Sequence, residues 1–546
     1  MIKIFIDQKF KWVESQVNNI TLASVGIIKI DGQNFSGTNA NKKLVNYLGL
    51  EKKSFSESSI SKISKKIKDM QGNFAIIVAA IDFIFAATDK KRSYPVFYSN
   101  VDNNIIFSNN ASWLKETMIN LQVNKSALLI YKMSGYTLGG ETIYQDLFQL
   151  QAGQCSFLSQ KNNKVKTVNY FQYFPNEIDD KPEQDKIEEL HEITKMTFND
   201  MINTLDGRPV VIPLSGGYDS RLILTLLKEF KYDNFITFTY GLKNDWQVRR
   251  ARFITEKLNV PWHFLYYEPK LMRKYFHTDD RKKYFQFGSG FCSTPTLQTY
   301  YSILELNSRK LLPNDAIMIN GQSGDFTSGG HIPDFLQNHD DSVSSSRLID
   351  AIINKHFSLW TDLKIDSNIK SVSDRLMRDL NLSSKNISLE VFASSFELFE
   401  FLERQSKHVI GGQRAYDWFG FDWRLPFWSD ELMEYWLKIH WTVKFQQKLF
   451  LQYLKRYNFQ GVFNIELPKS YSYLPGTQYF RILFYLAGKI QNRERAYYYN
   501  RFLKYHQAYS PYYPQKTYCD FLKDSKYHRN VVSYLVKQMI KEEKID

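Results

Sequence analysis

The stretch SGGYDSR at Ser215–Arg221 joins two segments of different character. Residues 209–214, PVVIPL, are apolar and predict a short buried strand. Residues 222–228, LILTLLK, predict the apolar start of a helix. A glycine-rich turn between a strand and a helix places unpaired backbone N–H groups at the positive end of the helix dipole. The stretch therefore predicts an α/β unit that carries an anion site.

The side chains of this turn suit a phosphate group and a divalent cation. Gly216 and Gly217 let the backbone approach a phosphate closely, and Ser215 and Ser220 add hydroxyl donors. Asp219 supplies a carboxylate that can hold a Mg²⁺ ion shared with the phosphates. A Walker A loop would need a lysine after its last glycine, and this turn has none. The turn is therefore a phosphate loop of a different type.

The motif SGGxDS resembles the phosphate loop of the PP-loop ATP pyrophosphatases, and that of the asparagine synthetase superfamily in particular. The resemblance implies an enzyme that splits ATP between the α- and β-phosphates, transfers AMP to a carboxylate and lets an amine displace it. It implies ATP and Mg²⁺ as cofactors. It also implies that Leu214 and Gly241 line the adenosine with backbone groups, and that Arg221 binds a substrate carboxylate or a phosphate.

A second glycine loop, NGQSGDFTSGGH at Asn320–His331, follows a short apolar run. It resembles the SGEGxDExxGGY loop of the asparagine synthetases. The resemblance implies that Asp325 ligates Mg²⁺ together with Asp219, and that Gly321 and Gln322 belong to the pyrophosphate site. Gln322 and Phe326 stand where the family usually has glutamate, so the family's catalytic Glu is missing. This departure leaves the carboxylate substrate and the acid–base partner open.

Two stretches extend the resemblance toward the C-terminus. Arg414 and DWRLPFWSD at Asp422–Asp430 resemble the superfamily's R…E-x-R-x-P-F-x-D stretch. Residues 443–450, VKFQQKLF, resemble its late lysine motif, whose lysine neutralises charge on the adenylate. Lys448 is the first candidate for this catalytic lysine, and Lys444 is the second. A solvated helix face is the alternative role for either lysine.

Glu403, in the predicted helix 399–407, is the candidate that replaces the missing acid–base glutamate. Its alternative role is an ion pair with Arg404 or Arg424. The glycine-rich stretch 288–295 lies between the two loops and is the predicted wall of the carboxylate pocket.

Residues 1–175 predict a separate domain, because short apolar strands such as 72–80 and 83–88 are joined by polar turns. Their order resembles the glutaminase domain of the asparagine synthetases, which implies an Ntn-hydrolase-like αββα sandwich. Those glutaminases attack glutamine with a cysteine at position 2, where this chain has Ile2. We therefore expect a domain that does not hydrolyse glutamine and instead covers the next domain. The residues that carry this resemblance are Asp89, Arg92, Pro95 and Tyr98.

An acidic linker with two prolines at 174–182 separates this domain from a second one at 183–465. Alternating strands and helices predict, for the second domain, a parallel sheet with helices on both faces, similar to the adenine-nucleotide α-hydrolase fold. ATP is expected at the carboxyl ends of the strands. Residues 466–546 predict a helical extension rich in basic and aromatic side chains. The chain as a whole is predicted to be α/β.

The composition, with 43% hydrophobic and 23% charged residues among 546, is that of a globular protein with a large core. Cys155, Cys292 and Cys519 lie far apart and form no disulfide or metal pattern, which favours a reducing, cytoplasmic location. Cys155 is interpreted as a buried structural residue. We expect neither a signal peptide nor a transmembrane segment. A homodimer is among the assemblies that the sequence leaves open.

The net charge of +14 is concentrated at the C-terminal end, where residues 469–546 contain 14 Lys and Arg against 6 Asp and Glu. Basic residues interleaved with aromatic ones are typical of surfaces that bind an anionic membrane or nucleic acid. Residues 480–490, FRILFYLAGKI, have the pattern of an interfacial amphipathic helix. We favour an extension packed on the second domain, place weak membrane-surface contact second and RNA binding third, and expect no nucleic-acid partner.

Three functions are compatible with these motifs. The first is an ATP-dependent amide-forming ligase whose partners are a small-molecule carboxylate and ammonia or an amine. The variant GQSGDF…GGH also resembles asparagine-synthetase-related proteins of bacterial surface polysaccharide assembly, which implies a sugar uronic acid as substrate. An amine within the substrate would instead resemble the ring-closing β-lactam and carbapenam synthetases, which also lack the cysteine.

The second function is a PP-loop tRNA-modifying enzyme, which the basic charge favours and the lack of a CxxC pair opposes. The third is an ATP-binding pseudoenzyme, which Gln322 and Phe326 motivate. An inactive protein would be free to lose the phosphate-site residues, and their presence here opposes this function; they are Ser215, Asp219, Ser220 and Asp325.

Overall fold

The structure is a computed structural model that describes residues 3–545 except 18, 51–56, 81–82, 102–103, 119, 160–163, 176, 244, 339–341, 383, 468–476, 492–495, 507–512, 514–515 and 525–526. Position 2, on which the predicted loss of the glutaminase nucleophile rests, lies outside the described residues. So do residue 176 of the predicted linker and parts of the predicted C-terminal extension.

The described strands are β1 Lys3–Phe5, β2 Val13–Val17, β3 Ile20–Ile30, β4 Gln33–Phe35, β5 Gln71–Ala79, β6 Phe83–Thr88, β7 Phe97–Val101, β8 Asn104–Ser108, β9 Leu147–Gln149, β10 Gln154–Ser159, β11 Val165–Asn169, β12 Val210–Pro213, β13 Phe235–Gly241, β14 Trp262–Tyr266, β15 Ile317–Ile319, β16 Ser342–Ser344, β17 Asn386–Ser388 and β18 Asp422–Arg424.

The described α-helices are α1 Gly37–Leu48, α2 Glu57–Asp69, α3 Ala111–Thr117, α4 Lys125–Ser134, α5 Glu183–Asn203, α6 Asp219–Glu229, α7 Trp246–Leu258, α8 Pro269–Phe276, α9 Asp279–Ser289, α10 Leu297–Ser308, α11 Gly324–Thr327, α12 Ser345–His356, α13 Asp366–Asp379, α14 Leu389–Phe399, α15 Arg414–Phe419, α16 Asp430–Lys438, α17 Trp441–Lys444, α18 Lys448–Tyr457, α19 Thr477–Ile490, α20 Tyr497–Lys504, α21 Tyr518–Asp524 and α22 Val531–Glu542. A π-helix at Glu400–Val409 directly follows α14.

The N-terminal part is a sandwich of two sheets with helices on both outer faces. One sheet has the order β1-β8-β7-β9, and the other has the order β11-β10-β6-β5-β3-β2, with β4 paired to β3. Side chains alternate along each strand, so Ile77 of β5 is buried in one cluster with Phe107 of β8 between the sheets, while Ile76 is buried in a second cluster with residues of α1 and α2 outside. Leu114 of α3 and Leu128 of α4 cover the other outer face. This layering confirms the predicted αββα sandwich.

The C-terminal part is built on a five-stranded parallel sheet of order β14-β13-β12-β15-β18. Val210 and Ile212 of β12 pack on the helical layer that contains α5, α6 and α18, while Val211 packs on the layer that contains α9 and α10. Strands buried on both faces are expected to be continuously apolar, as the run 209–214 is. The predicted parallel sheet with helices on both faces is therefore confirmed.

The last helix is part of the protein core. Tyr534 and Met539 of α22 are buried in the same cluster as Tyr131 of α4, and Glu542 of α22 accepts a hydrogen bond from Arg281 of α9 at 2.7 Å. The extension therefore contacts the N-terminal sandwich as well as a helix of the C-terminal part. Beyond the helix end, Glu543 accepts a hydrogen bond from the Tyr144 hydroxyl at 2.6 Å. Within the described residues, no helix combines the length and the apolar content that crossing a bilayer requires.

Candidate functional site

Two loops follow neighbouring strands and meet at the carboxyl edge of the parallel sheet. Residues 214–218 connect β12 to α6, and residues 320–323 connect β15 to α11. Strands β12 and β15 are paired directly, whereas β13 lies on the other side of β12. The chain therefore reverses its direction of travel across the sheet at β12. Open α/β sheets bind their ligands in the crevice at such a switch point.

The first loop is held in shape by its own serines. The backbone N–H of Ser215 donates to Ser220 Oγ at 3.0 Å, and the two hydroxyl oxygens lie 3.1 Å apart. The Gly217 N–H donates to Ser215 Oγ at 3.2 Å. Leu214 anchors the loop, because its N–H donates to the Phe238 carbonyl of β13 at 2.8 Å. Leu214 and Gly241 thus end neighbouring strands at the same edge of the sheet.

Gly216 lies close against the side chains of α7. A Cβ atom there would lie 2.7 Å from the Trp246 ring of α7. Arg221 supports the same residue from behind, since its buried guanidinium donates to the carbonyls of Gly216 and Val462 at 3.4 Å and 3.2 Å. Burial lowers the pKa of Arg221 to about 10, so the group stays charged at neutral pH. These bonds direct the Arg221 guanidinium to the backbone of the loop. The sequence had predicted that this group binds a substrate carboxylate or a phosphate.

Asp219 and Asp325 form the acidic centre of the site. The Asp325 backbone lies close enough to the Asp219 carboxylate to influence its pKa, and Gly321 and Gly324 both pack against Asp219. Burial and the negative charge of Asp325 raise the pKa of Asp219 to about 8. A cation between the two carboxylates would relieve this repulsion. Mg²⁺ commonly takes one or two protein carboxylates and completes its shell with water and phosphate oxygens, so this pair fits it.

A charged cluster continues from Asp325 away from the first loop. His331 bridges two acids, with Nε2 at 3.2 Å from Asp325 Oδ2 and Nδ1 at 2.5 Å from Glu400 Oε1. Lys355 Nζ and Arg404 Nη1 also reach Glu400, at 2.7 Å and 3.1 Å. Burial alone would lower the pKa of His331, but its bonds to both carboxylates raise it. Burial alone would raise the pKa of Glu400, but His331 and the other cations hold it well below its usual range.

Sequence reasoning missed the roles of Glu400 and Lys355. Lys355 comes from α12 and Glu400 from the start of the π-helix, and neither lies in a motif. Only the packing of these two helices beside the second loop brings them to His331. The sequence carries no local signal that would have found them.

Glu403 faces a different neighbour from Glu400, although both lie in the π-helical segment. Its Oε2 is 2.5 Å from Lys407 Nζ, and the Gly139 N–H of the N-terminal part donates to its Oε1 at 3.1 Å. The ion-pair partner of Glu403 is therefore Lys407, and not Arg404 or Arg424 as expected. The structure places this predicted acid–base residue at the contact between the two parts of the chain.

The two positions where the family has glutamate are filled by uncharged groups. Phe326 is fully buried and packs near the rings of Tyr173 and Trp428, with centroids 5.4 Å and 6.4 Å away. Gln322 accepts a hydrogen bond from the side-chain amide of Gln413. The aromatic layer around Phe326 explains why a carboxylate at that position would be costly to bury.

The two candidate lysines differ in environment. Lys444 is buried and pairs with Glu397 at 3.0 Å. Lys448, which begins α18, is mostly exposed and pairs with Glu183 at 3.3 Å. The preceding residue, Gln447, donates to Ser328 of the second loop at 2.9 Å. Lys448 therefore lies beside the second loop in an exposed pair, and such pairs are weak enough to exchange for a ligand phosphate.

The stretch 288–295, predicted to line the carboxylate pocket, packs against the N-terminal part. The Thr137 N–H donates to the Cys292 carbonyl at 2.9 Å, and a Cβ on Gly290 would overlap the Phe97 ring. A separate cleft of about 520 Å³ lies between the two parts, at the amino ends of β12 and β18. Its charged lining includes the Lys91–Asp430 pair at 3.0 Å. That cleft is at the opposite edge of the sheet from the two loops.

Among the described residues, no group of three or more His, Cys, Asp or Glu side chains is arranged to hold a metal ion by itself. The two carboxylates at the loops are instead the kind of incomplete set that a nucleotide's phosphates complete.

One known protein is similar to this chain in sequence over about half of its length. A protein of Methanocaldococcus jannaschii named "Putative asparagine synthetase (glutamine-hydrolyzing) 2" is 25% identical over 318 residues, which are 54% of this chain. The aligned region covers 58% of that protein, so the chain spans little more than half the length of this relative.

Two solved structures are weakly similar to this chain. They are a glutamine phosphoribosylpyrophosphate amidotransferase from B. subtilis, complexed with ADP and GMP, and an allosteric regulatory enzyme of purine biosynthesis. The first structure is 9% identical in sequence, and the match covers 57% of this chain and 63% of the matched chain. The second is 10% identical, and the match covers 58% of this chain and 58% of the matched chain. Both TM-scores are 0.19, and a score this low does not indicate a shared fold.

The sequence profile described as Asparagine synthase matches residues 201–482, which is slightly more than half of the chain. The matched region contains both loops, the π-helix and the two candidate lysines. The chain therefore belongs to the asparagine synthase family.

Proposed function

We propose that this protein is an ATP-dependent ligase that joins a carboxylate to an amine, with AMP and pyrophosphate as products. The observation that carries the proposal is the contact between Asp219 and the loop of Asp325 at the switch point of the sheet. Two carboxylates that repel each other beside a loop of serine hydroxyls and backbone N–H groups suit a nucleotide with its cation.

The residues at the two loops bind different parts of the nucleotide. Ser215, Gly217 and Ser220 hold the phosphates, while Leu214 and Gly241 face the adenosine. Mg²⁺, when bound at Asp219 and Asp325, offsets the charge that develops on the leaving pyrophosphate. Lys448 leaves its ion pair with Glu183 and pairs with the α-phosphate instead.

The substrate carboxylate oxygen bonds to the α-phosphorus as the bond to pyrophosphate breaks. An amine nitrogen then bonds to the acyl carbon, AMP leaves with the electron pair, and the nitrogen gives up a proton. The chain assists both displacements by positioning the reactants and stabilising the charge on the phosphates.

The substrate that we propose is a sugar uronic acid, converted to its amide during surface polysaccharide assembly. Gln322 and Phe326 remove two negative charges relative to the family pattern, which weakens the site for an amino acid with its ammonium group. The paired amides of Gln322 and Gln413 offer donors and acceptors of the kind that bind hydroxyl groups.

The amine that we propose is ammonia that does not come from glutamine hydrolysis in this chain. Cys155 is buried, and burial raises the pKa of its thiol to about 11, so it is protonated at neutral pH. Cys292 is buried as well. The N-terminal sandwich then acts as a structural cover for the synthetase part.

Pyrophosphate release from ATP, Mg²⁺ and ammonia, measured against aspartate, free uronic acids and nucleotide-linked uronic acids, tests the proposal. We expect release that depends on one uronic acid and yields AMP and an amide. Asp219→Asn and Asp325→Asn should each abolish the release, while the matched control Asp233→Asn, at an exposed acid before β13, should keep it.

Wild-type rates in both site variants would refute the two-carboxylate metal site. Pyrophosphate release with loss of water from an acid that carries its own amine would replace the proposal with ring closure. ATP binding without turnover on every acid of the panel would count against the uronic acid and favour a pseudoenzyme.

A further inference from the structure

Helix α19, Thr477–Ile490, carries a continuous apolar stripe on its outer surface. Five large side chains have between 52% and 85% of their surface exposed; they are Tyr479, Ile482, Leu483, Leu486 and Ile490. Their spacing of three, four, seven and eleven residues from Tyr479 places all of them on one side of an α-helix. Contiguous exposed apolar surface of this kind normally marks an interaction site.

The opposite side of α19 is occupied by α20. The Phe484 ring lies 5.0 Å from the Phe502 ring and 6.1 Å from the Tyr499 ring, measured between centroids. The two helices therefore form a hairpin, which we call the α19–α20 hairpin. Its inner side is aromatic, and its outer side is the apolar stripe.

The two helices of the hairpin carry only positive charges. Arg481 and Lys489 are the charged residues of α19, Arg501 and Lys504 are those of α20, and neither helix contains an acidic residue. The connecting sequence 491–496, QNRERA, adds two arginines and one glutamate.

By its spacing Lys489 flanks the stripe, whereas Arg481 lies over the rings of Tyr485 and Tyr499 on the inner side, at 5.2 Å and 5.7 Å from their centroids. An apolar stripe on a helix whose charged residues are all cations is the pattern of helices that lie in the interface of an anionic membrane. Cations attract anionic headgroups while the stripe enters the acyl boundary.

We propose that the α19–α20 hairpin docks this protein on the surface of an anionic lipid membrane. Helix α19 has 14 residues and is about 21 Å long, which is too short for a hydrocarbon core of about 30 Å. It therefore lies in the plane of the surface. A second copy of the chain is the less favourable occupant, because two identical cationic hairpins would repel each other.

Flotation of the full-length protein with lipid vesicles tests the proposal. The probes are vesicles of phosphatidylcholine alone and of phosphatidylcholine with roughly one-third phosphatidylglycerol. We expect binding to the anionic vesicles that weakens with salt and is at least about tenfold weaker on the neutral vesicles.

The test variant is I482E/I490E, which puts two carboxylates into the stripe. It should lose binding by at least about tenfold, because it removes apolar contact and adds repulsion. The matched control is I178E/I365E, which makes the same change at two exposed isoleucines elsewhere. It should bind as the wild type does. Thermal unfolding of all three proteins checks that the fold is kept.

Absence of binding to anionic vesicles would overturn the proposal, and so would equal binding of I482E/I490E and the wild type. A dimer in solution that I482E/I490E dissociates, without vesicle binding, would assign the stripe to a second copy instead. Displacement from vesicles by salt but not by the glutamates would reduce the hairpin to a nonspecific cationic surface and would also contradict the docking mode.

Discussion

A Cβ atom on Gly324 would stand 2.8 Å from the Cγ atom of Asp219. The second loop thus touches the carboxylate of the first loop. A side chain at position 324 would push the Asp219 carboxylate out of its place. Contacts this close tie the position of one carboxylate to the backbone that carries the other. The metal site that we propose therefore depends on the two loops together rather than on either motif alone.

Gly324→Ala should push Asp219 out of place and lower the rate of pyrophosphate release by at least about tenfold, because the new methyl group overlaps the carboxylate. Gly411→Ala is the matched control, since nothing lies within 4 Å of a Cβ there. Steady-state rates of both variants check this. Equal rates would mean that the loops relax without cost.

Asp219→Asn should stabilise the protein in the absence of Mg²⁺ at alkaline pH. The folded state raises the pKa of Asp219 to about 8, so it retains a proton that the unfolded chain loses near pH 4. Wild-type stability should therefore fall as pH rises from about 4 to about 8, by a few kcal/mol at most, and the asparagine removes this fall.

Thermal unfolding at about pH 5 and about pH 9, with and without Mg²⁺, measures the effect. Mg²⁺ should raise the Tm of the wild type and leave that of Asp219→Asn unchanged. A variant that Mg²⁺ stabilises as strongly as the wild type would contradict the metal assignment.

Glu400→Gln should cost about 3 kcal/mol of unfolding free energy or more, because it leaves His331, Lys355 and Arg404 without their shared buried carboxylate. Glu256→Gln removes an exposed pair with Arg252 and should cost less than about 1 kcal/mol. Urea unfolding of the two variants provides the comparison. Similar losses of unfolding free energy in the two variants would show that water compensates the cluster's cations, so that Glu400 contributes no more than an exposed ion pair does.

Glu403→Gln separates the structural role of Glu403 from the predicted acid–base role. The substitution leaves the buried Lys407 without its counter-charge, although Nζ keeps its hydrogen bonds to the Thr137 and Gly139 carbonyls, so the variant should lose about 3 kcal/mol of stability. The double variant Glu403→Gln/Lys407→Met should recover part of this loss. The pH profile of pyrophosphate release should stay that of the wild type. A changed profile in the folded enzyme would restore Glu403 as an acid or base.

His356 should make the protein sensitive to mild acid. Burial lowers the pKa of this histidine to about 3, against the opposing charge of Glu400, and its Nδ1 lies 2.8 Å from the Tyr136 hydroxyl. The unfolded chain binds a proton near pH 6.5 while the folded chain does not. Stability should therefore drop by about 2 kcal/mol between pH 6.5 and pH 5.

His356→Gln cannot take up that proton, so its unfolding free energy should change less over the same interval. Chemical denaturation of both proteins at several pH values measures the difference. Parallel curves would indicate that His356 is protonated in the folded state.

Local patterns predicted layered sheets for the N-terminal part and a parallel sheet for the C-terminal part. Short apolar strands joined by polar turns indicated the first, and continuous apolar runs that end in glycine loops indicated the second. The αββα arrangement of the sandwich was implied by the resemblance to the glutaminase domain. The division of the chain at residues 175 and 465 stays a prediction. So do the roles of Lys448 and Glu403, because their motifs name residue types without their contacts.

The sequence by itself determined that two glycine loops, with Asp219 and Asp325, follow strands of one parallel sheet, because strand, turn and helix signals are local. Only the tertiary structure decided that the loops touch, that Arg221 supports its loop from behind, and that Glu400 rather than Glu403 reaches His331. Those outcomes depend on the packing of separate helices and on the winding of a π-helix. They arise from side chains distant in sequence, and no local pattern encodes them.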